Sequence, residues 1–171
     1  MLPHLDAAHM LARFLIHEPS EIEDVLQDAV LNAIQYFHTL RDDANARAWF
    51  LTIVRRECYS SWTQRRGRTN TVSLDAAAEG GNQSIEIADG GELPDGAAER
   101  NSVREKIVAA VEGLTDRLRE VIVLRELQQC SYDEIALIID APIGTVMSRL
   151  SRGRACLAAC LRDVVNLGDV T

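Results

Sequence analysis

Apolar residues recur at helical spacing along most of this chain, and no stretch alternates apolar and polar residues as a half-buried strand would. The spacing predicts a first helix over Leu5–Ile16 and a second that runs to about His38. A third helix is predicted from about Ala46 to Gln64, with Gly67 as its stop signal. The second helix has a wide apolar stripe made of Ile22, Val25, Leu26, Ala29, Val30, Ala33, Ile34 and Phe37.

The C-terminal half also predicts helices with recognisable ends. A helix near Ser102–Glu112 should end at Gly113, and Thr115 should cap the next, which runs to about Gln129. Pro142 has the position of a first-turn proline and opens a last helix that runs to about Val165.

Two capping boxes are predicted where a serine is followed three residues later by a glutamate. Ser20 with Glu23 should open the second helix, and Ser131 with Glu134 should open a short helix before Pro142. The tract from Ser131 to Arg154 therefore predicts two helices joined by a tight turn. One polar face of the last helix, suited to a DNA major groove, is formed by Thr145, Ser148, Arg149 and Arg152.

Residues 69–100 break every periodicity, because they hold five glycines, one proline and seven acids. So little apolar surface cannot offset the entropy lost on ordering. The tract predicts a flexible acidic linker between an N-terminal unit, residues 1–68, and a C-terminal unit, residues 101–171. The predicted fold class is all-α, with two small helical domains.

The formal net charge of −8 conceals a basic block, since residues 41–68 carry seven arginines and three acids. Further arginines cluster within residues 149–154. A polyanionic partner fits these patches, although a solvated helix face explains the first block equally well.

No stretch of eighteen apolar residues occurs, so no membrane span is predicted. The N-terminus lacks the features of a secretory signal, and a cytoplasmic protein with reduced thiols is expected. No side chains have the spacing of a catalytic, metal or cofactor site. Cys156 and Cys160 are four residues apart, as in half a zinc site, but core packing is the favoured interpretation.

Three tracts together resemble the extracytoplasmic-function sigma factors: EDVLQDAVLNA, ARAWFLTIVRRECYSSWTQRR and LTDRLREVIVLRELQQCSYDEIALIIDAPIGTVMSRLSRGRACL. The third tract is the most specific, and the resemblance extends over almost the whole chain. Asp24 and Gln27 on one helix, with Arg47–Trp49 opening another, distinguish this family from other helix-turn-helix proteins. The resemblance implies a promoter-specificity subunit that binds core RNA polymerase, recognises two promoter elements and performs no covalent chemistry.

The resemblance also implies protein partners. Asp24, Gln27 and Asp28 fall in the segment that docks on the clamp helices of the largest polymerase subunit, and an exposed acidic and amide face suits a basic partner. The tract LTDRLREVIVLREL resembles the part that meets the flap of the second-largest subunit. Its residues Leu118, Val121, Ile122 and Leu124 are better explained as core. An anti-sigma factor that clamps the two units is a further expected partner.

For promoter DNA, the tract from Thr39 to Asn45 falls where the family captures a flipped base of the minus-10 element. Arg41, Asp42 and Asn45 would supply its hydrogen bonds. The third helix should lie along the same element, with phosphates near Arg55, Arg56, Arg65, Arg66 and Arg68.

The last helix is assigned to the minus-35 element, through Thr145, Ser148, Arg149 and Arg152. Arg149 or Arg152 would pair with a guanine in bidentate fashion. The chain departs from the family pattern at Asp43, Arg56, Asp140 and Met147.

Two other functions stay open at this stage. The first is a one-site helix-turn-helix regulator whose N-terminal half dimerises or senses a signal; the basic third helix and the linker argue against it. The second is a sigma-like decoy that sequesters an anti-sigma factor and has lost DNA binding, and the departures from the family pattern are compatible with it.

Overall fold

The computed structural model describes residues 4–40, 45–69 and 96–166, and within them the side chains of 65–69, 96–102 and 163–166 lie outside the description. Most of the predicted linker, residues 70–95, also lies outside it. The described part is helical throughout, as predicted. Its α-helices are α1 Leu5–Leu15, α2 Ile22–Gln35, α3 Ala46–Thr69, α4 Gly96–Glu112, α5 Asp116–Ile122, α6 Tyr132–Ile139 and α7 Ile143–Asn166.

Shorter helical turns join these elements. Pro19–Glu21 and Phe37–Thr39 form 3₁₀ turns, and α5 continues into a π-helical turn at Val123–Leu127. None of the described helices is long and apolar enough to cross a membrane.

The helix ends test the capping predictions. The Ser131 box is confirmed: Ser131 Oγ accepts from the Glu134 backbone N–H at 3.1 Å, and the Ser131 N–H donates to the Glu134 carboxylate at 2.7 Å. The Ser20 box is wrong, because Pro19 opens a 3₁₀ turn that contains Ser20, whose hydroxyl donates to Glu18 at 3.3 Å.

Two predicted boundaries also move. Gly67 does not end α3, which continues to Thr69, because a single glycine weakens a helix without forcing it to stop. Helix α4 begins at Gly96, so the last residues assigned to the linker are helical.

In the N-terminal part, α1 and α2 pack against α3 around the fully buried side chains of Leu11, Phe50 and Leu51. The buried face of α2 is narrower than its apolar stripe. Ile34 is 59% exposed and Phe37 is 53% exposed, so the core covers only part of the stripe.

In the C-terminal part, α7 packs closely over α5. Four consecutive residues, Val121 to Leu124, are buried, which means that this segment is covered on all sides. A Cβ atom at Gly153 would lie 2.7 Å from Ile122 Cγ1. Gly153 is therefore the residue that lets α7 approach α5, although it lowers helix propensity.

The N-terminal and C-terminal helices also contact one another, α1 with α5 and α3 with α6. Arg119 of α5 is 7% exposed and reaches the carboxyl end of α1, where Nη1 donates to the Phe14 carbonyl oxygen at 3.2 Å. Its remaining hydrogen bonds go to the carbonyl oxygens of Val111, Glu112 and Leu114 and to the carboxylate of Asp116.

Candidate nucleic-acid and protein interfaces

Helices α6 and α7 form a helix-turn-helix. Asp140 ends α6 in the left-handed conformation, with φ 51° and ψ 57°. Asparagine and aspartate adopt this conformation more readily than other non-glycine residues. The Ala141 N–H then donates to the Ala136 carbonyl oxygen at 3.1 Å, which closes the turn. Buried Ile135 and Val146 hold the two helices together.

The predicted reading residues lie along one side of α7. Ser148 Oγ donates to the Thr145 carbonyl oxygen at 3.0 Å, and Arg152 Nε donates to the Ser148 carbonyl oxygen at 3.3 Å. Ser148 and Arg152 are exposed, whereas Thr145 and Arg149 are half-buried. Arg154 lies on the other side of α7, where it pairs with Glu126 at 2.7 Å. A row of hydroxyl and guanidinium groups on an exposed helix is suited to base edges and phosphates.

The residues predicted for the minus-10 element are described only in part. Asn45, directly before α3, and Arg56, on α3, are exposed. Arg41 and Asp42 lie outside the described residues. Arg65 and Arg66 continue α3, but their side chains lie outside the description.

Arg55 faces the C-terminal helices in this structure. Its Nε donates to Glu120 Oε1, and its guanidinium carbon lies 4.9 Å from the centre of the Tyr59 ring. Burial raises the pKa of Glu120, while the positive charges of Arg55 and Arg149 act in the opposite direction. Burial also raises the pKa of Tyr59 to about 12. These values mark a poorly solvated ionic contact between the two parts of the chain.

The sequence interpretation missed Glu120, Arg119 and Gln128 as buried polar residues. The unbroken apolar run Val121 to Leu124 could have predicted this burial. A helix that is apolar all round is buried on all sides, and the polar residues next to the run are then buried with it.

On α2, the predicted polymerase-docking residues Asp24, Gln27 and Asp28 are all exposed. Leu31 is 57% exposed and continues this side of the helix one turn further on, a position that the sequence interpretation assigned to neither core nor interface. Trp49 is half-buried against the core, and its ring meets that of Phe37 edge-on with centroids 6.5 Å apart.

The four cysteines divide into two buried and two exposed thiols. Cys156 and Cys160 are exposed, so the prediction that they pack in the core is wrong. Among the described residues no three histidine, cysteine or acidic side chains are grouped as metal ligands would be. Burial raises the pKa of the Cys58 thiol to about 12 and raises that of Cys130 as well.

Thiol labelling should distinguish the two pairs. At pH 8 and without denaturant, we expect maleimide to modify Cys156 and Cys160 rapidly and Cys58 and Cys130 slowly, because the thiolate is the reactive form and both buried thiols stay protonated. Mass spectrometry of proteolytic fragments would locate the adducts. In guanidinium chloride all four should react at similar rates. Rapid native labelling of Cys58 would contradict its placement.

Comparisons with known proteins cover both parts of the chain. The model of Sigma-70 region 2 matches residues 2–68, and the model of Sigma-70, region 4 matches residues 104–157. The ECF RNA polymerase sigma-E factor of Escherichia coli (strain K12) is 30% identical over 155 residues, which span 88% of this chain and 78% of that protein. The RNA polymerase sigma-H factor of Pseudomonas aeruginosa is 26% identical over 159 residues, 91% of this chain and 80% of that protein.

Solved structures have the same fold. The sigma factor RpoE from Bartonella quintana, in complex with the anti-sigma factor NepR, gives a TM-score of 0.72 at 28% identity and covers 94% of this chain and 93% of that one. CnrH, in complex with the cytosolic domain of CnrY, gives 0.61 at 23% identity over 94% of this chain and 83% of that one, a likeness of fold alone.

Proposed function

The chain belongs to the extracytoplasmic-function sigma factors of the sigma-70 family, and from that premise we propose which of its residues engage polymerase and promoter. A member of this family binds core RNA polymerase and directs promoter-specific initiation. We assign polymerase docking and the minus-10 element to residues 1–68 and the minus-35 element to residues 101–171. The observation that carries the proposal is that Ser148 and Arg152 are exposed along one side of α7. Helix α7 is the second helix of a helix-turn-helix whose first helix, α6, begins with a capping box.

In this proposal α7 enters the major groove at the minus-35 element. Thr145 and Ser148 bond to base edges or phosphates, and Arg149 or Arg152 pairs with a guanine. Asn45 and Arg56, both exposed, act at the minus-10 element with Arg41, Asp42, Arg65 and Arg66. Arg55 joins them once it is released from Glu120.

The docking surface for the largest polymerase subunit is the side of α2 that carries Asp24, Gln27 and Asp28. We add Leu31 to it, because an exposed leucine bordered by carboxylates and an amide gives a small apolar centre with a polar rim. The chain contributes no covalent chemistry of its own and acts in the cytoplasm, where polymerase is found. An anti-sigma factor is its expected inhibitor, since RpoE from Bartonella quintana was solved in complex with the anti-sigma factor NepR.

Replacing Asp24 with alanine should weaken binding to core polymerase about tenfold, or about 1.4 kcal/mol, because it removes one carboxylate from a docking face without disturbing the core. The assay is run-off transcription with purified core polymerase on genomic promoters, titrated with the sigma chain. Glu23→Ala is the matched control, since Glu23 is an equally charged and exposed residue of α2.

Equal titration curves for Asp24→Ala and Glu23→Ala would contradict the docking assignment. Failure of the wild-type chain to direct any transcription with core polymerase would contradict the proposed function as a whole.

A further inference from the structure

The carboxylate of Glu120 lies between the two parts of the chain. Its side chain is 1% exposed, and Oε1 accepts from Arg55 of α3. Within the described part of the chain, Glu120 Oε2 has no hydrogen-bond partner although it is buried. The two residues that follow it on α5, Val121 and Ile122, are buried and apolar, so its hydrogen-bond partner comes from α3 and not from them.

Other polar contacts join the same two parts. Arg47 at the start of α3 donates to the side-chain oxygen of Gln128 at 2.9 Å and to the Gln128 carbonyl oxygen. The Gln128 side-chain amide in turn donates to the Ala7 carbonyl oxygen of α1 at 3.0 Å. Gln128 is 6% exposed, so this second junction is also largely shielded from water.

This closed arrangement cannot engage a promoter. Arg55, proposed for the minus-10 element, points into the junction, where Glu120 of the other unit accepts from it. Arg149, proposed for the minus-35 element, is half-buried, and its positive charge opposes the rise that burial causes in the pKa of Glu120. The minus-35 and minus-10 elements, centred about 25 base pairs apart, would lie about 85 Å apart along duplex DNA, at about 3.4 Å per base pair. Two units that contact one another cannot reach both elements at once.

We propose that Glu120 is an autoinhibitory latch: it holds Arg55 of the N-terminal unit, so that the free chain keeps its two DNA-binding units closed without any inhibitor. The proposal rests on the proposed function, which supplies the DNA role of Arg55. In a buried ion pair with one unpaired oxygen, the free-energy cost of desolvating the two charges nearly cancels their mutual attraction. Phosphates compete for the same guanidinium group, so modest differential binding to promoter DNA opens the latch.

The latch is tested first by small-angle X-ray scattering of the full free chain. Glu120→Gln keeps the shape of the side chain but removes its charge, and it should increase the radius of gyration by at least about a tenth over a compact value of about 16 Å. Glu126→Gln is the matched control, because Glu126 pairs with Arg154 inside the C-terminal unit and should leave the radius unchanged. Equal radii for wild type and Glu120→Gln would overturn the latch.

A cross-linked variant gives a second test, because a covalent link in place of the Arg47–Gln128 contact keeps the two parts together. Arg47→Cys and Gln128→Cys, in a background of Cys156→Ser and Cys160→Ser, would be joined by a short bismaleimide that contains a disulfide. The joined chain should lose promoter-directed transcription, and reduction should restore it. Full transcription by the joined chain would overturn the latch.

The two failures are distinguishable. Should Glu120→Gln open the chain while no variant directs transcription, the latch stands and the proposed function fails. Should the wild type direct transcription while Glu120→Gln leaves the radius unchanged, the function stands and the latch fails.

Discussion

Replacing Arg119 with methionine is expected to lower the free energy of unfolding by at least about 3 kcal/mol. The guanidinium donates to four carbonyl oxygens, among them those of Phe14 and Leu114, and to the Asp116 carboxylate. Methionine fills much of the same volume but donates nothing, so these acceptors lose their partner where water has little access. Several of them also lie at helix ends, where carbonyl oxygens lack partners within the helix.

The measurement is equilibrium unfolding in urea followed by circular dichroism. Arg117→Met is the matched control, because Arg117 is two residues away on α5 and exposed, and its loss should change stability by less than about 0.5 kcal/mol. An Arg119→Met protein within about 1 kcal/mol of wild type would mean that the carbonyl oxygens find other donors and that Arg119 does not fix this corner of the fold.

Local chemistry made part of this architecture predictable. The box of Ser131 with Glu134 depends on two residues three positions apart, so sequence spacing is sufficient to predict it. The Ser20 box failed for an equally local reason that its motif does not contain, namely the neighbouring Pro19, which starts a 3₁₀ turn one residue earlier.

Burial was less predictable, because it depends on contacts distant in sequence. Ile34 belongs to the apolar stripe of α2, yet no described helix covers it, and it is 59% exposed. The sequence around Glu120 predicts a solvated residue of an amphipathic helix. In the structure Glu120 is buried and accepts a hydrogen bond from Arg55, which is 65 positions away. Gly153 lowers helix propensity, but only its contact with Ile122 explains why a larger residue would not fit.

The candidate DNA-reading face was predicted as a set from helical periodicity alone, and the structure separates its members. Arg152 is exposed, with hydrogen bonds only to its own helix among those described, whereas Arg149 is half-buried and its charge acts on Glu120 and Tyr59. Loss of Arg149 is therefore expected to alter both the proposed DNA contact and the proposed closure. Removal of Arg152 is the cleaner test of the proposed minus-35 contact.

Arg152→Ala is expected to lower transcription from promoters with an intact minus-35 element about tenfold to hundredfold, since a bidentate arginine–guanine pair contributes about 1–3 kcal/mol of discrimination. Transcription from a template with a scrambled minus-35 element should change far less, because the lost contact is already absent there. The ratio of the two templates in run-off transcription is therefore the diagnostic quantity.

Arg154→Ala is the matched control for Arg152→Ala. It removes the same charge from the opposite side of α7, where the guanidinium pairs with Glu126 at 2.7 Å, and it should preserve the ratio of the two templates. If Arg152→Ala also preserves that ratio, the exposed row on α7 does not read the minus-35 element. If both variants lower transcription equally on both templates, their arginines act through general attraction to phosphates, which carries affinity without sequence information.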